Sequence, residues 1–225
     1  MARTGRPRGF DRDAALDQAM LLFWRLGYEV ASLAHLKAAM GGISAASFYA
    51  AFGSKEALFR EAAARYLDTY GLVTATLRDP ALPARQAIEQ TLRASARMQT
   101  DPAHPPGCWL VVAAGMCAPE HQDVQDMLAV QRARTRAAMH ACLARGDAAG
   151  DLPAGANAAG LAVTFGAFLN GMSIQARDGI SLAELDAAIT QLMRVWDTRP
   201  SAEDRQAALP AADATAPAPP PAPAP

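Results

Sequence analysis

With 225 residues, 51% of them hydrophobic, the chain is long enough to bury one large core or two modest ones, which excludes a chain disordered throughout. Ala dominates, Leu, Met, Arg and Gln recur and β-branched residues are scarce, so the expected fold class is all-α. The net charge of −1 hides an asymmetry: residues 1–66 carry nine Lys or Arg against six Asp or Glu, and residues 67–225 carry twelve against sixteen, a basic excess at one end that hints at nucleic acid.

Asp11 is placed to cap a first helix, in which Leu16, Ala19, Met20, Phe23 and Trp24 recur at helical spacing until Gly27 closes it. Ser32 caps a second helix bearing Leu33, Leu36 and Met40, stopped by Gly41-Gly42. Ser44 caps a third, very short helix with Phe48 and Phe52 on one side. After Gly53-Ser54 a longer helix starts at Lys55 and runs through Leu58, Phe59, Ala62 and Tyr66 toward Tyr70.

Beyond Tyr70 the pattern relaxes. Pro83 suits the first position of a helix carrying Ile88, Leu92, Ser95 and Met98 on one face. "DPAHPPG" reads as a loop and "CWLVVAAGMCA", ended by Pro119, as a buried helix, although "CWLVV" alone also fits a strand. A long amphipathic helix follows from Val124 through Met127, Leu128, Gln131, Thr135, Ala138, Met139 and Cys142 to about Gly146. Residues 156–175 are apolar nearly all round, the mark of a helix that covers more than one face. "SLAE" at Ser181–Glu184 fits a capping box ahead of Leu182, Leu185, Ile189, Leu192 and Trp196. From Arg199 the chain turns to Pro and Ala, and eight of its sixteen prolines lie between Pro200 and Pro225, so an extended tail without a packed core is expected.

Two short helices meeting at a Gly-containing turn, braced by a preceding helix, read as a helix-turn-helix. Its second helix must enter a groove about 12 Å wide, which requires a small or polar outer side. Ser44, Ala45, Ala46 and Ser47 meet that demand while Phe48 and Phe52 face inward. The spaced residues Phe23, Gly27, Ser32, Gly42-Ile43-Ser44, Tyr49 and Ser54-Lys55-Glu56-Ala57-Leu58 resemble the DNA-binding domain of the TetR family of bacterial transcriptional regulators over residues 8–66. Gly41-Gly42 departs from the usual single glycine of that turn.

The resemblance implies that Tyr49 and Lys55 contact phosphates, that Ser32 and Ser44 add positioning hydrogen bonds, and that Ala45, Ala46 and Ser47 face the bases. Arg6 and Arg8, with Arg3, form an arm able to reach the minor groove or backbone. The recognition helix holds no Arg, Asn or Gln for bidentate base contacts, so readout is expected to lean on Ser hydroxyls, Ala against thymine methyls, and DNA shape. Domains are expected at 1–9 (basic flexible arm), 10–53 (helix-turn-helix), 54–198 (helical regulatory domain) and 199–225 (disordered tail).

"PPGCWLVVAA" and "GMSIQARDGIS" resemble segments of the family's regulatory half more loosely. The family implies homodimers built from the last two helices, with Leu161, Phe165, Phe168, Leu185, Ile189, Leu192 and Trp196 as candidates for the seam and core packing as the alternative for each. It also implies a ligand cavity. Trp109, Met116, Met127, Met139, Phe165 and Met172 would line it for an apolar or aromatic molecule, again with ordinary core as the alternative.

The expected function is a ligand-responsive homodimeric repressor that binds palindromic double-stranded operator DNA and is released by a small-molecule effector. A redox- or metal-sensing regulator using Cys108, Cys117, His104 and His121 is the alternative within the fold, although Pro119 interrupts the helix between Cys117 and His121. A helical enzyme or binding protein is the alternative of another class. Against it, the sequence shows no facing carboxylate pair, phosphate loop or Ser-His-Asp grouping, so neither enzyme activity nor a cofactor is expected. No window approaches eighteen uncharged apolar residues, the N-terminus lacks the apolar stretch of a signal peptide, and three cysteines suggest no disulfide framework; no membrane association and a cytoplasmic location are expected.

Overall fold

The computed structural model describes residues 10–113, 118–153 and 155–197, and every regular element among them is helical. The helices are α1 Arg12–Val30, α2 Leu33–Ala39, α3 Ala45–Phe52, α4 Lys55–Asp68, α5 Ala84–Gln99, α6 Trp109–Val112, α7 Gln122–Ala148, α8 Ala158–Arg177 and α9 Leu182–Met193, with 3₁₀ segments at Tyr70–Arg78, Pro119–His121 and Arg194–Asp197.

The N-terminal helices start where their caps dictate. Asp11 accepts hydrogen bonds from the Asp13 and Ala14 amides at 3.0 and 3.1 Å, Ser32 from His35 at 3.1 Å, Ser44 from Ser47 at 3.0 Å and Ser54 from Ala57 at 2.9 Å. Gly27 does not end α1 as expected. It takes φ 76° and ψ 174° inside the helix, a conformation costly for residues with a Cβ, and the chain resumes to Val30 after the kink. The kink returns Tyr28 to the core, where its ring meets Phe59 edge-on at 5.1 Å.

Two packed cores result. One joins Leu16, Met20, Phe23, Trp24, Leu36, Phe48 and Phe52 to Leu58, Phe59 and Tyr66 of α4, then continues into Trp109, Val124 and Leu128. The other joins Ile88 and Leu92 of α5, Met139 and Leu143 of α7, Phe165 and Met172 of α8, and Leu185 and Ile189 of α9. The expected boundary between residues 53 and 54 therefore falls inside a continuous apolar core. The expected arm at 1–9 and tail at 199–225 lie outside the described residues.

Other departures have local causes. The segment after Tyr70, given no element from sequence, is a 3₁₀ stretch to Arg78 packed along α5. Pro83 is the N-cap residue of α5 and not its first position; the Ala84 amide that a helix start leaves open donates instead to the Asp151 carboxylate at 2.6 Å. The buried helix expected over "CWLVVAAGMCA" is a single turn, α6, before residues 114–117, which lie outside the described residues. Ser181 and Glu184 form the anticipated capping box: the Glu184 amide donates to Ser181 Oγ at 3.3 Å and the Ser181 amide to Glu184 Oε2 at 2.9 Å.

Candidate nucleic-acid interface and regulatory cavity

The turn between α2 and α3 is built on two successive left-handed residues, Gly41 at φ 82° and Gly42 at φ 77°. The Gly42 amide donates to the Lys37 carbonyl at 2.9 Å and the Gly41 amide to the Ala38 carbonyl at 3.2 Å, closing α2 in a Schellman arrangement. Only glycine reaches both conformations without strain, so the second glycine is a geometric requirement of this turn.

α3 then presents two unlike sides. Phe48 and Phe52 are buried, whereas Ala45, Ala46 and Tyr49 are exposed, Tyr49 at 52%. Ser44 and Ser47 share a hydroxyl hydrogen bond at 3.0 Å, which commits part of their polar capacity to holding the helix start. Lys55, at the first position of α4, holds its ammonium 4.3 Å from the centre of the Tyr28 ring, a cation–π contact.

Arg12 fixes the far end of α3, a role that the sequence reading missed. Its guanidinium donates to the Ala51 carbonyl at 3.2 Å, pairs with Glu61 at 2.6 Å and lies 4.7 Å from the Phe52 ring centre. No periodicity marks such a clamp, because it spans α1, α3 and α4. His35, at the start of α2, brings Nδ1 within 3.2 Å of the Val30 carbonyl.

Polar contacts tie this unit to the rest of the chain. Trp24 donates its indole N–H to the Gly107 carbonyl at 3.1 Å and stacks on His104 at 4.5 Å. Gly107 is compelled here: a Cβ would lie 2.6 Å from the Ser173 carbonyl oxygen, at φ 82°. Arg60 of α4 bridges Glu56 at 2.9 Å and Asp123 of α7 at 2.7 Å. Glu29, just past the Gly27 kink, accepts from the Ala118 amide at 2.9 Å and makes a 2.8 Å contact with His121 Nδ1. The Ala118 hydrogen bond, followed by that of His121, holds the Glu29 carboxyl below its ordinary range.

A cavity of about 60 Å³ lies where α4, the 3₁₀ segment, α5, α6, α7 and α8 meet. Ser95, Gln99, Cys108, Arg132, Thr135 and Asn170 are among its polar walls, beside Tyr66 and Tyr70, and Leu67, Val73, Met98, Leu110 and Leu169 are among its apolar ones. Tyr66 donates its hydroxyl to Cys108 Sγ at 3.2 Å, while burial raises the Cys108 thiol above its ordinary pKa against the opposing effect of that bond.

This wall differs from the expected one. Trp109 and Met127 pack in the first core and Met139, Phe165 and Met172 in the second; none of the five lines the cavity, and Met116 lies outside the described residues. The apolar periodicity that suggested them reports burial, and here burial means packing against neighbouring helices. Within the expected dimer seam, Leu185, Ile189 and Phe165 are spent inside the subunit, at 2%, 0% and 0% exposure. Trp196 packs its ring against Phe165 at 5.3 Å in a tilted pair and donates to the Asp151 carbonyl at 3.1 Å, while Leu161, Phe168 and Leu192 stay partly exposed at the edge of the second core.

The proposed sensor residues are dispersed. His104 is stacked on Trp24, with Nδ1 3.0 Å from the Pro105 carbonyl, His121 meets Glu29, and Cys108 meets Tyr66. Cys117 lies outside the described residues, and among the described residues no group of three His, Cys, Asp or Glu is arranged to hold a metal ion. Arg6 and Arg8 likewise lie outside them. No helix among the described residues is long and apolar enough to cross a membrane.

Comparison with known proteins places this geometry in a family. Residues 15–62 match the family described as bacterial regulatory proteins, tetR family, and residues 83–196 match the tetracyclin repressor-like C-terminal domain. The chain is 35% identical over 193 residues to the HTH-type transcriptional repressor ComR of Escherichia coli (strain K12), covering 85% of this chain and 91% of that protein. A cysteine mutant of the TetR family transcriptional regulator CifR, solved in complex with 26-bp double-strand operator DNA, is 42% identical with a TM-score of 0.78, covering 85% of this chain and 100% of that one. A TetR family regulator from Agrobacterium tumefaciens is 25% identical with a TM-score of 0.68, covering 82% and 97%. The chain thus belongs to the TetR family, as a DNA-binding transcriptional regulator and not an enzyme.

Proposed function

We propose that this protein is a homodimeric repressor that binds a palindromic operator through α3 and lets go when a small molecule occupies the cavity beside Tyr66. The observation that carries the reading is the two-sided α3: Phe48 and Phe52 seat it, and Ala45, Ala46 and exposed Tyr49 leave an outer side slim enough for a major groove. Tyr49 and Lys55 contact phosphates, the N-termini at Ser32 and Ser44 add positioning hydrogen bonds, Ser47 stands beside the base edges, and Arg6 and Arg8 extend the footprint.

The partner surface is the outer stripe of α8. Val163, at 69% exposure, Ala167, Gly171 and Ile174, at 48%, follow helical spacing, flanked by partly exposed Leu161, Phe168 and Leu192. An apolar stripe of this kind calls for a cover, and a second copy supplies one symmetrically. Ligand control follows from position: Tyr66 and Tyr70 line the cavity and also meet Trp24 edge-on, each at 5.0 Å. A ligand that shifts α4 changes the separation of two recognition helices that must match grooves about 34 Å apart.

Mobility shift on DNA flanking the protein's own reading frame, across a range of salt, tests the reading. A site-specific complex of two subunits is expected. A monomer indifferent to every duplex at low salt overturns it. The protein acts in the cytoplasm, where that DNA lies.

A further inference from the structure

Resting on the ligand-controlled reading above, we infer that the effector is a compact carboxylate, held by Arg132 with Ser95 and Gln99 as neutral donors. Three independent features of the cavity carry this.

The first is an uncompensated charge. Arg132 is partly buried on the cavity wall, and among the described residues no carboxylate lies within ion-pair distance of it. Among the described residues its one side-chain hydrogen bond is from Nη1 to the carbonyl of Leu110, within the one-turn α6, at 2.6 Å. A guanidinium has five N–H donors, so most of them remain for a ligand. Burial first, and the neighbouring Arg136 second, lower its pKa from the ordinary value, the signature of a cation lacking its counter-charge.

The second is the donor set. Ser95 is 1% exposed and lines the cavity, and among the described residues its Oγ has no hydrogen-bond partner. Gln99, also 1% exposed, uses Oε1 to accept from Ser173 Oγ at 3.0 Å, which orients the amide so that its two N–H donors stay open. Among the described residues no Asp or Glu lines the cavity. Unspent donors around an unpaired cation suit a ligand that only accepts.

The third is size and polarity. A volume of about 60 Å³ takes on the order of four to six non-hydrogen atoms at one water per 10–15 Å³. Leu67, Val73, Leu110 and Leu169 leave one side apolar, which suits a short alkyl chain and not the fully polar surface of phosphate. Arg matches a carboxylate bidentately, so the fit is specific in geometry as well as in charge.

The test uses the full chain and calorimetric titration with propionate, its neutral isostere propionamide, and inorganic phosphate, each followed by an operator mobility shift. Propionate is expected to bind and to release operator, propionamide to bind at least tenfold more weakly, and phosphate not to compete. Arg132→Gln should lower propionate affinity roughly tenfold to a hundredfold, the range for a lost hydrogen bond to a charged group. Arg132→Lys should restore part of it, and Ser95→Ala should weaken it without loss of operator binding. Propionamide or phosphate binding as well as propionate, an Arg132→Gln chain that binds propionate unchanged, or no binding by propionate would each overturn the carboxylate assignment. Operator release by propionamide alone would do so while leaving ligand control intact, and failure of the free chain to bind operator would strike the functional reading instead.

Discussion

The hydroxyl of Tyr66 reaches Cys108 Sγ at 3.2 Å, so the last turn of α4 is tied to the residue that opens α6. The same ring meets Trp24 of α1 at 5.0 Å and Trp109 at 5.6 Å. One side chain thus touches the brace of the DNA reader, the core and the cavity wall.

Removing only that hydroxyl separates packing from coupling. Tyr66→Phe keeps the ring contacts and is expected to cost about 1 kcal/mol of stability, the usual net worth of one hydrogen bond. Operator affinity of the unliganded chain should change little, while the concentration of effector needed for release should rise. Thermal melting and mobility shift check the two parts, and an unchanged effector response would argue that α4 does not carry the signal.

Glu29 gives the fold an acid-sensitive tie. Its carboxyl titrates below the ordinary 4.5 in the folded chain, chiefly because the Ala118 amide donates to it and next because of His121. A group with a depressed folded pKa adds stability above its unfolded pKa and loses it as pH falls through the folded value. Glu29→Gln should therefore be less stable than the parent near neutrality and should converge with it as pH falls through the depressed folded value. Parallel denaturant melts at several pH values read this, and a gap that persists at the acid end would assign the loss to something other than the carboxylate.

At the DNA face, Tyr49→Ala and Lys55→Ala should weaken binding to all duplexes about equally, and the lysine change should also reduce the salt slope by about one. Tyr49 is half exposed, so its loss should barely move the melting temperature. Lys55 lies over the Tyr28 ring, so its removal should cost up to about 1 kcal/mol in addition. Titrations at three salt concentrations decide the matter, and sequence-selective losses would shift either residue from phosphate to base contact.

The α8 stripe makes a simple case. Val163→Glu places a charge where the subunit leaves a valine 69% exposed, so the isolated fold should tolerate it within about 0.5 kcal/mol. Pairing of copies across that face should fail, because a buried unpaired carboxylate costs several kcal/mol. Light scattering after size exclusion reads the mass, and an intact dimer would place the seam elsewhere.

What the sequence revealed and what it hid divide along local and non-local lines. Asp11, Ser32, Ser44 and Ser181 were legible because a cap is a bond between a side chain and the backbone two or three residues on. Phe48 and Phe52 were legible because helical spacing alone sets their side of α3. The cavity was not, since Ser95, Arg132 and Leu169 come from three helices whose mutual placement no spacing encodes. Leu185 and Ile189, candidates for either the seam or the core, pack within the subunit, because periodicity marks an apolar side without saying whether the same subunit or another covers it. Gly27 was recognised as special but read as an end, because a left-handed residue serves a kink as well as a cap.

The first core does not respect the border that a helix-turn-helix suggests. Phe59 touches Phe23 at 4.9 Å on one side and Trp109 at 5.1 Å on the other, so the helix-turn-helix and the helical domain behind it share their innermost rings. Hybrid regulators made by grafting one relative's head onto another's body at residue 53 would inherit mismatched halves of that joint. A workable graft has to carry α4 together with Trp109 of α6 as one block, because Phe59 and Tyr66 both meet that ring.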